Sequence, residues 1–289
     1  MSNDTHITPN SYLPIIGSVA FLLLAVGAGN WIHGNAIGPI LVLMGLITLG
    51  YMLYAWFSLV IHENRTVLAN DEVLDRSMRW SMVWFIFTEV MFFAAFFGVL
   101  FYIRTWALPQ LSGLVESKVM THRLLWPSFE ASWPLATTPD PGLVKPPGMV
   151  MPAAGIPVLN TVILLLSGLT ITLSHHQLIK AQMKKALRWL NITVALGALF
   201  LFLQAVEYGH AYANGLTLSS GIYGNIFFMM TGFHGLHVLL GSIIIFIVGQ
   251  RMRKGHFSAN EHFAFEAAAW YWHFVDVVWL ALFVFVYWI

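Results

Sequence analysis

The sequence predicts an all-α integral membrane protein with seven transmembrane helices, and three observations carry that prediction. Of its 289 residues, 58% are hydrophobic and only 9% are charged, whereas a soluble domain carries about 25% charged residues. Mean hydropathy is +0.73. The apolar residues gather in seven runs, each long enough to cross roughly 30 Å of hydrocarbon at 1.5 Å rise per residue. In hydrocarbon an open strand would leave its N–H and C=O groups without partners, so each run must be a helix.

In chain order, the first run covers residues 12–34 and the second 36–61, and neither contains Asp, Glu, Lys or Arg. Their internal glycines, such as Gly27 and Gly45, are ordinary in lipid. The third run, 80–106, carries Glu89, and the fourth, 157–181, closes on His175 and His176. The fifth, 188–213, holds Glu207 near its end, and the sixth, 222–250, holds His234 and His237. The seventh, 263–289, contains Glu266, His273 and Asp276 together with Trp270, Trp272, Trp279 and Trp288. We read one membrane domain over 1–289 whose only long connection, 107–156, follows the third run.

Charge sets the expected orientation. Arg65, Arg76 and Arg79 follow span two, Lys180, Lys184, Lys185 and Arg188 follow span four, and Arg251, Arg253 and Lys254 follow span six. These ten of the fourteen Lys and Arg residues share a side with the N-terminus, so the positive-inside rule places the N-terminus in the cytoplasm and the C-terminus outside. Basic clusters between apolar runs are a topology signal, and nucleic acid is not an expected partner. Residues 1–12 contain no Lys or Arg, so the basic start of a cleavable signal peptide is missing and the first helix is expected to be retained. Nine of the twelve prolines fall between Pro109 and Pro157, which predicts an irregular external loop with polyproline character and a docking role. No internal repeat supports an inverted-repeat transporter.

Ionisable groups inside the spans are the candidate functional residues. Glu89 lies about 14 Å into a helix that starts near Trp80, where a charged carboxylate costs roughly 2.5–3.5 kcal/mol. It is expected to face protein or water, either tying helices together or relaying protons. His234 and His237 are three apart and share a helix face, as do His273 and Asp276. Four such groups could be imagined around a metal, but pairing with one another or with hydroxyls and carbonyls is the commoner outcome and the one expected. His175 and His176 sit at a helix C-terminus facing lipid phosphates, at a depth that does not match His234 for bis-histidine haem. Glu207 is expected where water or a loop can reach it. With no Cys in the chain, disulfides, cysteine-ligated copper, iron–sulfur clusters and covalent c-type haem are excluded.

The run HFAFEAAAWYWHFVDVVWLALFVFVYW resembles the C-terminal signature of cytochrome c oxidase subunit III. GIYGNIFFMMTGFHGLHVLLG, SGLTITLSHH, QAVEYGHA and WFIFTEVMFF resemble further segments of that family, in the same order. Together with NWIHGN and VIHENR, the similarity reaches nearly the whole chain outside 107–156. The resemblance implies a bundle split into two helices and five by a lipid-filled cleft, carrying no redox centre, cofactor or metal of its own. It implies an accessory subunit of a proton-pumping oxidase in an aerobic respiratory chain, bound to subunit I, which holds haem and copper, and to subunits II and IV. Cytochrome c is then the substrate of the complex, and the location is a bacterial inner membrane with a periplasmic C-terminus. The implied roles are stabilising subunit I, supporting proton uptake and sustained turnover, and binding phospholipid.

By the same resemblance Glu89 matches a carbodiimide-reactive intramembrane glutamate, and Trp56, Arg79 and Arg251 match lipid-headgroup contacts. Where the family commonly has Trp and Arg, this chain has Phe57 and His62, and a histidine holds phosphate only when protonated. His234, His237, Glu266, His273 and Asp276 are expected to pair inside the membrane. Two alternatives stand beside this reading. One is subunit III of a quinol oxidase, which resembles a five-helix form without the first two spans. The other is an independent proton-coupled transporter using Glu89, His234 and Asp276.

Overall fold

A computed structural model describes residues 11–66 and 72–288, and the chain divides into two compact units, residues 1–74 and 75–289. The expectations for the first ten residues and for Ile289 lie outside the described residues. Every described regular element is helical. Among the described residues, seven helices are long and apolar enough to cross a membrane: Leu13–Ile32, Ile37–His62, Asp75–Leu111, Ile156–Ile179, Met183–Ala213, Gly221–Arg253 and Phe263–Trp288.

The first unit is a helical hairpin of α1 (Leu13–Ile32) and α2 (Ile37–Thr66). Its turn uses Gly34 at φ 76°, a left-handed conformation that costs glycine little. Lipid supplies no hydrophobic force between apolar helices, so they associate by close packing. Gly27 provides it: a Cβ there would sit 2.7 Å from the Val42 backbone nitrogen.

The second unit holds α3 (Glu72–Tyr102) from Asp75 onward, a π-helical turn Ile103–Ala107, the short α4 (Leu108–Leu111) and α5 (Val119–Leu125). It continues with α6 (Ile156–Ile179), α7 (Met183–Ala213), α8 (Gly221–Arg253) and α9 (Phe263–Leu282), the last extended by a π-helical turn Phe283–Trp288. The core collects on α9. Trp272 is fully buried in a socket where Gly197 of α7 and Gly241 of α8 leave room for the indole, and its Nε1 donates to Ser167 Oγ of α6 at 2.8 Å. One heptad further on, Trp279 Nε1 donates to Thr161 Oγ1 at 3.0 Å. As residue number rises on α9 it falls on α6, so the two helices are antiparallel.

The connection after span three is partly helical, a departure from the irregular loop expected for 107–156. The span runs on to Leu111, a 3₁₀ turn covers Glu116–Lys118 and α5 follows, because Leu, Val and Met in this stretch outweigh its few turn residues. Residues 112–115 and the proline-rich part beyond α5 lack helix. That part is also not wholly exposed: Phe129, Leu135 and Met151 are buried, Met151 N–H donates to Tyr223 Oη at 3.2 Å, and Gly148 N–H donates to Gly215 O at 3.3 Å. Span five begins at Met183, earlier than 188, since the helix continues past the apolar window into the basic residues at the boundary.

Ser117 lies between spans three and four and Lys184 starts span five; both are exposed. With no native cysteine to interfere, Ser117→Cys should react with an impermeant maleimide added outside intact cells, and Lys184→Cys only after permeabilisation. The reverse pattern would overturn the orientation read from charge.

Candidate functional site

Helices α3 and α8 bring Glu89 and His237 together: Glu89 Oε2 lies 2.9 Å from His237 Nε2. The second ring nitrogen, Nδ1, lies 2.6 Å from Phe233 O one turn back. A carbonyl only accepts, so Nδ1 carries hydrogen. Two arrangements satisfy the remaining contact. Either a protonated Glu89 donates to a neutral imidazole, or an imidazolium donates to the carboxylate. Both place one proton between the two residues and leave the pair without net charge, which keeps its cost in hydrocarbon low. Phe92 and Phe93 of α3 pack on the imidazole, at ring-centroid distances of 5.8 and 4.9 Å.

The other predicted groups do not converge on that pair. His234 is fully buried between Phe200 and Trp279, and neither ring nitrogen has a hydrogen-bond partner among the described residues. His273 turns to the other side of α9, where its Nε2 lies 3.2 Å from Thr172 Oγ1 and its Nδ1 3.6 Å from Asp276 Oδ2. His234, His237, His273 and Asp276 therefore do not form one ligand set.

Glu207 differs from expectation. It is fully buried rather than reached by water, because the π-helical turn after α9 brings Tyr287 across it. Glu207 Oε2 accepts from Gln204 Nε2 at 2.9 Å and from Tyr287 Oη at 3.1 Å, and Asn160 Nδ2 of α6 extends the chain to Gln204 Oε1 at 3.4 Å.

A further group gathers where α6 ends and α9 begins. Glu266 bonds Arg79 of α3 through Oε2, while its Oε1 lies 3.2 Å from His262 Nε2. Arg79 also donates to Asp75 at 2.7 Å and lies over the Phe263 ring at 4.9 Å. His175 adds a third donor: one ligand atom each from His175, His262 and Glu266 lie within 4.8 Å of one another, a nitrogen and oxygen set of the kind that holds zinc. Arg251 stacks over Phe257 at 4.8 Å. In the first unit Trp56 and Phe57 stack at 5.7 Å and are both exposed, and His62 sits at the end of the same span.

Of the residues selected from the sequence, Glu89 meets His237 and His273 meets Thr172, while Asp276 lies 3.6 Å from His273 and His234 has no hydrogen-bond partner among the described residues. Sequence reasoning paired Glu266 only generically and passed over His262, although the i, i+4 spacing of His262 and Glu266 was a readable signal. The partnership of Glu207 with Tyr287 had none, since they are 80 residues apart.

The family described as Cytochrome c oxidase subunit III matches residues 3–113 and 110–289. Among similar proteins, cytochrome c oxidase subunit 3 of Latimeria chalumnae is 41% identical over 284 residues, covering 98% of this chain and 96% of that protein. The proteins of the same name from Dugong dugon and Felis catus are 40% and 38% identical over 294 residues, with 100% of this chain and 99% of each relative covered.

The tautomer argument predicts how the buried pair tolerates substitution. The amide introduced by Glu89→Gln can donate to His237 Nε2, so that variant should keep the thermal midpoint of the purified protein close to that of the parent. Glu89→Leu strands Nε2 and should cost about 1–3 kcal/mol. Equal midpoints for the two variants would overturn the pairing.

Proposed function

The chain belongs to the cytochrome c oxidase subunit III family and is an accessory subunit of that oxidoreductase complex, and from this premise we propose that it sustains its partners' catalysis without carrying out the redox reaction. The observation that carries the reading is similarity over essentially the whole chain, including both spans of the first unit. Those two spans also weigh against the quinol oxidase alternative. The transporter alternative would need Glu89, His234 and Asp276 to form a relay, whereas each of the three has different neighbours.

In this proposal the chain binds subunit I, which holds haem and copper, and subunits II and IV, in a complex that oxidises cytochrome c in a bacterial inner membrane, with the N-terminus cytoplasmic. Phospholipid headgroups are held by Trp56, Phe57 and His62 of the first unit, and others by Arg79 and Arg251 of the second. Basic side chains at the boundary support this, since each is worth about 1 kcal/mol near an anionic surface. Glu89 and His237 act as a reservoir of one proton within the membrane, and the subunit keeps proton delivery to subunit I in step with turnover.

Removing the chain from the purified oxidase should leave initial oxygen reduction possible, followed by progressive loss of activity during turnover and a steeper fall in initial rate as pH rises and protons become scarce. Unchanged endurance and an unchanged pH profile would sink the proposal. Replacing both Arg79 and Arg251 by Ala should lower the phospholipid recovered per complex in mild detergent; unchanged phosphorus content would remove them from the lipid site.

A further inference from the structure

Glu89, Glu207, His234, His237 and Asp276 all turn into the helices of residues 75–289, but His273 does not: 46% of its side-chain surface is exposed. Its depth makes this costly. His273 is ten residues into α9, about 15 Å from the helix start, and ionisable residues at such depth almost always face protein or a water-filled cavity. A lipid headgroup cannot reach that far, and an acyl chain offers no hydrogen bond.

The chain satisfies this cluster only in part. Thr172 Oγ1 donates to Gly168 O at 2.9 Å, so it accepts from His273 Nε2–H. The imidazole Nδ1 is then left facing Asp276 across 3.6 Å, too long for a hydrogen bond, and the buried Asp276 Oδ1 has no hydrogen-bond partner among the described residues. Around the cluster lie two parallel stripes of exposed residues. On α6 these are Val162, Leu165 and Leu169, and on α9 they are His273, Val277 and Leu280. Each stripe alternates steps of three and four, the spacing at which side chains of a neighbouring helix interdigitate. The contact between Thr172 and His273 joins the stripes into one face.

We propose that this α6–α9 face, centred on His273, is where the chain seats against a transmembrane helix of its oxidase partner. That helix presents apolar residues along the stripes and one hydrogen-bonding side chain at the depth of His273. The inference rests on the accessory-subunit reading and adds to it the surface and the chemistry of the contact.

Photo-crosslinking in the assembled complex tests it without disturbing the polar cluster. A benzophenone amino acid placed at Val277 or Leu280 should, on illumination, give a band at the summed mass of this chain and another integral membrane subunit. The same group at Phe202, exposed on α7, should not. Equal yield from Phe202, or adducts at Val277 and Leu280 confined to lipid, to this chain itself or to a second copy, would overturn the interface. Haem copurifying with the tagged chain reports separately on the underlying reading. Its absence sinks the accessory role, whereas its presence without the expected adduct sinks only the face.

Discussion

The seating of Trp272 sets the geometry of the second unit. An indole at the centre of a helix bundle needs both room and an acceptor for its N–H. Gly197 and Gly241 supply the room and Ser167 supplies the acceptor. Trp279, on the same helix face two turns later, repeats the arrangement with Thr161. Two fixed points on one rigid helix determine both its rotation and its height. Once α9 is set, Glu266 arrives at Arg79, Asp276 lies against Gly168, and Tyr287 covers Glu207. The polar contacts of α9 thus follow from two tryptophans and the small residues that receive them.

This arrangement suits a solvent that exerts no hydrophobic force between apolar helices. Packing of small residues and interhelical hydrogen bonds take its place, which is why glycine, serine and threonine recur where α6, α7 and α8 meet α9. Ionisable groups follow the same rule. Glu89 with His237 and Glu207 with Gln204 and Tyr287 each resolve locally. His234 is packed among aromatic rings with no hydrogen-bond partner among the described residues.

Much of this was legible in the amino-acid order. The seven spans follow from run length and from the backbone's need for internal hydrogen bonds, and the largest shifts came where helices continued past the apolar window, as at Met183 and Leu111. Glu89 stood out because a carboxylate in an apolar run has few explanations. Which histidine it meets was not legible, because His234 and His237 share a face on paper, yet a three-residue step turns them about 60° apart, so that His237 meets Glu89 and His234 meets Phe200 and Trp279. The burial of Glu207 depended on a π-helical turn that shifts the register of the last residues, and no local pattern announces such a turn. In the long connection, proline content masked α5 and the buried Phe129, Leu135 and Met151, since composition averages over short segments that pack.

The hydrogen bond from His237 Nδ1 to Phe233 O has a spectroscopic corollary. With one nitrogen committed to a carbonyl, moving the shared proton between Glu89 and His237 exchanges a carboxylic acid for a carboxylate at constant total charge. Such an event is nearly silent to any electrode or voltage-sensitive dye, because the displacement spans a single hydrogen bond. It would instead appear in the infrared, where a protonated carbonyl stretch that shifts on deuteration would be replaced by the paired stretches of a carboxylate. The proton's position is therefore open to vibrational measurement even where electrical recording sees nothing.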